Sequence, residues 1–269
     1  MDRFLDYILK TLVALTLIYV TLPSVVVVIT AFGDKALMMF PPDAWSTRWF
    51  VRAIQYEDFR LGIVNGLIIT SWTTWIAVVI GTCSAFAIER FSFPGKSILE
   101  AILASPLVIP HFTMGVGFLI LASGLSLSRS YGVAIACHVV LVLPFVMRSV
   151  YVSLKNIDPA LERAAASLGA RPMTVFLRIN LPLLAPGVAG GALMAAILSF
   201  NEFTATLFVT GQNTQTLPVA MYTYIREYAD PTMAALSAMM IAATTLFLIV
   251  VNRWLGLEKI LAIDSSHHR

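Results

Sequence analysis

Long apolar runs separated by short polar segments make up most of the chain. Six runs exceed the roughly 20 apolar residues that a helix needs to cross a bilayer. They cover about residues 11–32, 65–88, 98–123, 132–154, 183–210 and 233–254. These runs are continuously apolar, whereas the strands of a membrane barrel alternate between apolar and polar residues. The pattern therefore predicts an all-α polytopic membrane protein with six transmembrane helices.

The composition agrees with this assignment. Hydrophobic residues make up 58% of the chain and charged residues 12%, while a soluble domain is nearer one half and one quarter. No linker, low-complexity segment or internal repeat divides the sequence, so we expect residues 1–269 to form a single transmembrane domain. Cys83 and Cys137 each lie within an apolar run and have no metal-ligand spacing. The formal charge of +3 gives no indication of a nucleic-acid partner.

The positions of the basic residues predict the orientation. With six spans and the N-terminus inside, the inner segments hold 12 of the Lys and Arg residues and the outer segments hold 6. Cytoplasmic loops carry such an excess of positive charge. We therefore expect a multi-pass membrane protein, in contact with lipid, with both termini in the cytoplasm. The first apolar run is longer than a signal-peptide core, and we expect it to be kept in the mature chain.

The most polar segment between spans covers residues 155–182 and is called the cytoplasmic cassette below. Asp158 and Pro159 are typical of a helix start, because Asp caps the free N–H groups and Pro suits the first helical position. Residues 160–168 favour a helix, and Gly169 predicts its end. Pro172 is able to begin a second short helix. Two short helices outside the bilayer are typical of a docking element, although an ordinary amphipathic interfacial segment would have a similar pattern.

The cassette resembles the EAA loop of type I binding-protein-dependent ABC importer permeases. The resemblance rests on the spacing of Gly169, Ile179, Leu181 and Pro182, and on the residues Ala164, Ala165 and Leu168 before the glycine. The segment 199–237 is in turn similar to permeases of the polyamine, opine and phosphonate import group. This resemblance implies a six-helix permease fold with a cytoplasmic coupling-helix loop.

In that family the loop docks onto the ATPase subunit. Carried over by position, the coupling residues are Glu162, Arg163, Ala164, Ala165, Leu168, Gly169, Pro172, Ile179, Leu181 and Pro182. One position departs from the family pattern, because Arg163 occupies the place of the usual glutamate and Glu162 lies one residue earlier. Successive helical side chains point about 100° apart, so an ion pair made by the family glutamate is in question here. Arg163 would instead face an acidic group of the partner.

The resemblance also implies the partners, the mechanism and a location in a bacterial inner (plasma) membrane. The family works as two permease subunits, two ATPases and an extracytoplasmic solute-binding protein, and the group resemblance favours a distinct second permease chain. The sequence lacks the G-x-x-x-x-G-K-[ST] phosphate loop, so ATP and Mg would be bound by the partner ATPase and this chain would bind no cofactor. It is then a transporter subunit and no enzyme, and it would move a small polar solute by ATP-driven alternating access.

Other functions are less consistent with the sequence. An ATP-independent secondary transporter would explain Glu202 as a proton-linked carboxylate, but it leaves the cassette without a role. Metalloprotease and serine-hydrolase motifs are absent from the sequence. The cargo stays open: an amine-bearing compound such as a polyamine is favoured, with a phosphonate, an opine or another solute as alternatives.

Charged residues within apolar runs mark candidate contacts with the solute, because burying a charge in a membrane is costly. Glu202, followed by Phe203 and Thr204 and preceded by Asn201, lies in the fifth predicted span and is able to receive an ammonium group. Sealing of an outer gate, or pairing with the second permease subunit, is the alternative. His111 follows two prolines in the third predicted span, where a kink would open near a pathway. A packed histidine is its alternative.

Overall fold

The computed structural model describes residues 2–127 and 129–255, and within them the chain is helical without β-strands. The α-helices are α1 (Asp2–Thr30), α2 (Arg48–Gln55), α3 (Glu57–Arg90), α4 (Lys96–Ala104), α5 (His111–Gly124), α6 (Tyr131–Lys155), α7 (Pro159–Ser167), α8 (Pro172–Val175), α9 (Leu181–Phe200), α10 (Thr206–Val209), α11 (Leu217–Glu227) and α12 (Thr232–Leu255). Lys259 and Arg269, which contribute to the predicted orientation, lie outside the described residues.

Five of the described helical stretches are long and apolar enough to cross a membrane. A sixth span results if Lys96–Leu107 and His111–Gly124 together make one crossing. The all-α polytopic fold predicted from the sequence is therefore confirmed.

The third predicted span is not a straight helix. Its two halves are bent by 105° at a short break. Pro106 lies in the 3₁₀ turn Ser105–Leu107, and Pro110 directly precedes α5. Proline lacks the N–H that a helix interior needs and collides with the preceding turn, so the two prolines end one helix and start another. His111 consequently lies at the first position of a new helix.

The predicted C-terminal end of the fifth span is wrong. The continuous helix extends from Pro172 through the π-helical segment Phe176–Asn180 into α9, and it stops at Phe200 instead of reaching residue 210. Two side chains form hydrogen bonds with the backbone at this point. Asn201 Nδ2 donates to the Ile197 carbonyl at 2.8 Å, and Glu202 Oε1 accepts from the Ala205 N–H at 2.8 Å. Such local bonds compete with helix continuation.

The compact unit formed by residues 61–220 has α6 at its centre. Most of α6 is buried, and α9 packs closely along it. Ser149 Oγ of α6 donates to the Gly187 carbonyl of α9 at 2.8 Å, and a Cβ at Gly187 would collide with Ser153 Oγ. Small residues bring membrane helices close together in this way. The tight pair forms the core that positions the elements described next.

The described part of the second compact unit, residues 2–60 and 221–255, contains α1, α2 and α12. Trp49 of α2 is buried against α12 residues, and its indole N–H donates to the Gly33 carbonyl at 2.8 Å. Arg52 pairs with the largely buried Asp230 at 3.2 Å. These contacts hold the segment after α1 to the start of α12.

Candidate coupling and translocation sites

The cytoplasmic cassette begins as its sequence predicts. Asp158 Oδ1 accepts the Ala160 N–H at 2.8 Å, and Pro159 is the first residue of α7. The helix ends before Gly169, whose φ of +82° lies in the left-handed region that favours glycine. Pro172 then opens α8. This second helix continues into α9, so the cassette is attached directly to a membrane span.

Apolar side chains of the cassette point into solvent. Leu168, beside the turn, is 89% exposed, and Met173 is 67% exposed. Large apolar side chains that are this exposed are candidates for contact with a partner. Of the other coupling residues, Ala164, Pro172, Leu181 and Pro182 are exposed, while Ala165 and Ile179 are half-buried.

The two charged residues of α7 face different surroundings. Glu162 Oε1 lies 2.8 Å from Nη2 of Arg90 at the end of α3, and both atoms are shielded from solvent. Arg163 is exposed. The rotation of about 100° between successive side chains separates an inward carboxylate from an outward guanidinium. The sequence does not reveal the Arg90 partner, which lies 72 positions earlier in the chain.

The structure brings Glu202 and His111 together. Glu202 Oε2 lies 2.7 Å from His111 Nδ1, while Oε1 accepts from the Ala205 N–H. The Glu202 side chain is 11% exposed and the His111 side chain 47%. Glu202 does not lie within the fifth span, as the sequence suggested, but in the turn that follows α9. Its neighbours Asn201 and Thr204 in this turn are exposed, and Phe203 is half-buried.

A buried chain of hydrogen bonds holds the turn that contains Glu202. Thr206 Oγ1 donates to the Glu202 carbonyl at 2.8 Å, so its lone pair accepts from His138 Nε2 at 2.8 Å. His138 Nδ1 then accepts from Ser199 Oγ at 2.9 Å, and Thr70 Oγ1 donates to Ser199 at 3.4 Å. His138 is fully buried with both nitrogens engaged. It therefore fixes the Glu202 turn and has no free atom for a solute.

The sequence did not indicate that His138 fixes the Glu202 turn, because a lone histidine in an apolar run is most simply a packed residue. The signal was the placement of hydroxyl residues on either side of the turn. Ser199 precedes Glu202 by three positions and Thr206 follows it by four, so the two hydroxyls bracket the carboxylate.

A small cavity of about 50 Å³ lies beside the ion pair. Its walls include His111, Glu202, His138, Ser199 and Phe145. Pockets for whole small molecules measure roughly 300–1,000 Å³. Within this chain the cavity therefore accommodates a group the size of an ammonium but not an entire solute. Among residues 2–127 and 129–255, no group of three or more His, Cys, Asp or Glu side chains is arranged to hold a metal ion.

A tight contact between α5 and the Glu202 turn brings His111 to its partner. A Cβ at Gly115, one turn after His111, would lie 2.7 Å from the Ala205 carbonyl oxygen and 2.8 Å from Ala205 Cα. Backbone atoms cannot yield to a methyl group in the way that a long side chain does. Gly115 is thus needed for the approach that pairs His111 with Glu202.

We expect Gly115→Ala to destabilise the protein by about 1–3 kcal/mol, because overpacking forces α5 away from the turn. The thermal unfolding midpoint of the purified protein in detergent measures this loss. Gly117→Ala is the matched control: it changes the same helix two residues later, where a Cβ meets nothing within 4 Å. Equal midpoints for the two variants would contradict the assigned contact.

Comparison with known proteins decides the family. Residues 77–257 match the family described as binding-protein-dependent transport system inner membrane component. The chain belongs to this family. It is therefore a multi-pass inner-membrane protein and the permease subunit of an ABC importer. The resemblance of the cassette and of segment 199–237 to such permeases is confirmed.

Several relatives in this family transport different solutes. The spermidine/putrescine transport system permease protein PotC of Escherichia coli K12 is 24% identical over 241 residues, covering 90% of each chain. The putrescine transport system permease protein PotI of the same organism is 28% identical, covering 82% of this chain and 81% of PotI. The molybdenum transport system permease protein ModB of that organism is 31% identical, covering 72% of this chain and 92% of ModB.

Solved structures share the fold. A bacterial ABC transporter involved in the import of the acidic polysaccharide alginate has a chain that superposes with a TM-score of 0.70 at 15% identity, covering 95% of this chain and 96% of the other. A chain of the MetNI methionine ABC transporter in an inward-facing conformation gives 0.58 at 19% identity, covering 76% and 94%. Identities this low establish the architecture and leave the cargo undecided.

Proposed function

We propose that this permease subunit moves a small amine-bearing solute of the polyamine class inward across the membrane. The observation that carries the proposal is the Glu202 carboxylate, which is largely buried and whose side-chain partner among the described residues is the His111 imidazole and no Lys or Arg. A carboxylate in such surroundings gains most from a group that carries a full positive charge. Similarity to PotC and PotI supports this choice of cargo, while similarity to ModB makes an oxyanion the competing possibility.

In this mechanism the ammonium end of the solute takes the place of His111 at Glu202. The Ala205 N–H holds one carboxylate oxygen in position, and the other oxygen stays available for the cation. The remainder of the solute lies outside the cavity, which is too small for it. Phe203 and Thr204 follow in the same turn and complete the proposed contact surface, with Asn201 on its other side.

The driving force comes from partner proteins. An ATPase dimer with its ATP and Mg binds the exposed face of the cytoplasmic cassette, with Leu168 and Met173 as apolar contacts. Arg163, exposed beside them, pairs with an acidic residue of the ATPase. Both termini lie in the cytoplasm. A distinct second permease subunit completes the membrane dimer. An extracytoplasmic binding protein delivers the solute. Nucleotide-dependent docking biases the transporter between inward- and outward-facing states, because it favours one of them.

Uptake into proteoliposomes tests the cargo. The complex purified from its own host, with its binding protein added, is supplied with labelled putrescine, labelled spermidine or labelled molybdate. ATP-dependent accumulation of either amine supports the proposal. Accumulation of molybdate without either amine would refute the amine cargo and leave the permease assignment in place.

A further inference from the structure

The cytoplasmic end of α3 contacts both helices of the cassette. Arg90, the last residue of α3, pairs with Glu162 of α7 at 2.8 Å. One turn earlier, the Phe86 ring meets the Phe176 ring edge-on, with their centroids 4.9 Å apart. Phe176 follows directly after α8. The end of α3 is therefore held by the first cassette helix through an ion pair and by the second through an aromatic contact.

The other end of α3 holds the segment after α10. Asn65 is buried, and its Nδ2 donates to the carbonyls of Asn213 at 3.2 Å and Gln215 at 2.9 Å. Its Oδ1 accepts from the Tyr131 hydroxyl at 2.5 Å. Asn65 thus fixes residues 213–215 to α3, and it does so close to the start of α6.

The helix between these two ends is suited to transmit a displacement. From Asn65 to Arg90 it rises about 37 Å at 1.5 Å per residue, and its sequence contains no proline. Small residues, Ala77, Gly81 and Ala85, face the buried side, and Ala77 and Ala85 belong to the core around α6. A helix with a smooth face is able to slide along its neighbour as a rigid element.

We propose that α3 is a second mechanical link, which carries motion of the cytoplasmic cassette to residues 213–215 through the Arg90–Glu162 ion pair. This inference rests on the proposed function, because it assumes that an ATPase moves the cassette. Arg90 and Glu162 act here as positioning residues, because their ion pair sets how far α3 follows α7. Without the pair, the cassette would still dock, but of the two contacts α3 would keep only the one between Phe86 and Phe176.

The charge pair offers a test by exchange. Arg90→Glu and Glu162→Arg are each expected to lower the solute transported per ATP hydrolysed by about tenfold, within the range by which coupling residues change such linkage. Arg90 lies in α3, outside the coupling residues, so Arg90→Glu should leave ATPase retention on purification unchanged. The double variant R90E/E162R restores opposite charges and should recover most of the coupling ratio.

The control is an exposed ion pair of similar length. Lys10 lies 2.7 Å from Asp6 on α1, where both side chains are mostly in solvent. Lys10→Gln should leave the coupling ratio unchanged, because exposed pairs contribute little.

The outcomes separate this inference from the proposed function. Single variants that keep the wild-type coupling ratio would overturn the link, as would an exchanged pair that assembles with the ATPase but recovers no coupling. A wild-type chain that retains no ATPase at all would instead refute the assumption on which the link depends.

Discussion

Glu202→Gln will lower transport of a diamine by roughly tenfold or more while leaving the protein folded. The glutamine carbonyl oxygen is able to accept the Ala205 N–H as Glu202 Oε1 does, so the turn after α9 keeps its capping bond. The negative charge is lost, and a neutral amide cannot offset the hydration free energy that an ammonium group loses when it leaves water. Hydrogen bonds to charged groups contribute about 1.5–3 kcal/mol, which predicts a fall of roughly tenfold or more in putrescine uptake by proteoliposomes.

Glu57→Gln is the matched control for this experiment. It makes the same chemical change at an exposed carboxylate in the first turn of α3, and uptake should stay near the wild-type rate. A Glu202→Gln protein that takes up putrescine as fast as the control would contradict the ammonium site. Unchanged uptake together with raised solute-independent ATPase activity would assign Glu202 to gate closure instead.

Gly169→Asp will uncouple the permease from its ATPase. Gly169 has a φ of +82°, which costs a residue with a Cβ about 1–2 kcal/mol. The backbone then leaves the left-handed region and rotates α7 relative to α8, so Leu168 and Arg163 are presented in the wrong direction. Insertion should be intact, because the turn lies outside the spans. We expect the ATPase recovered with the tagged variant to fall by about tenfold.

Gly95 provides a control with the same local geometry. Its φ is +86°, and at both glycines an added Cβ would meet nothing within 4 Å. Gly95→Asp therefore imposes the same backbone strain and charge at the start of α4, outside the cassette. ATPase recovery should stay at the wild-type level. Equal losses for the two variants would show a general strain effect and would remove the special role of the cassette turn.

Local sequence signals were enough to predict the cassette. Asp158 and Pro159 start a helix, and Gly169 ends it, because caps and positive φ values depend on only a few neighbouring residues. The apolar runs likewise gave the spans, since crossing a bilayer requires length and composition above all.

Contacts distant in sequence explain what was not predicted. The helix break after Phe200 falls in a run that hydropathy treats as continuous, and it depends on the bonds of Asn201 and Glu202 to the backbone. The His138 ring forms hydrogen bonds with Ser199 and Thr206, which lie 61 and 68 positions later in the chain. Prolines predicted a disturbance near His111, where the chain bends by 105°, but they did not predict the close contact of Gly115 with Ala205, 90 positions later.

We infer that an ATPase bound to residues 155–182 drives this permease. The most direct measurement is gentle detergent purification of the tagged chain from its own host, with co-eluting proteins identified by mass spectrometry and uptake then assayed with and without ATP. We predict recovery of an ATPase and a second, distinct permease, together with uptake that requires ATP. A chain that elutes alone and carries solute into liposomes without ATP would contradict the account.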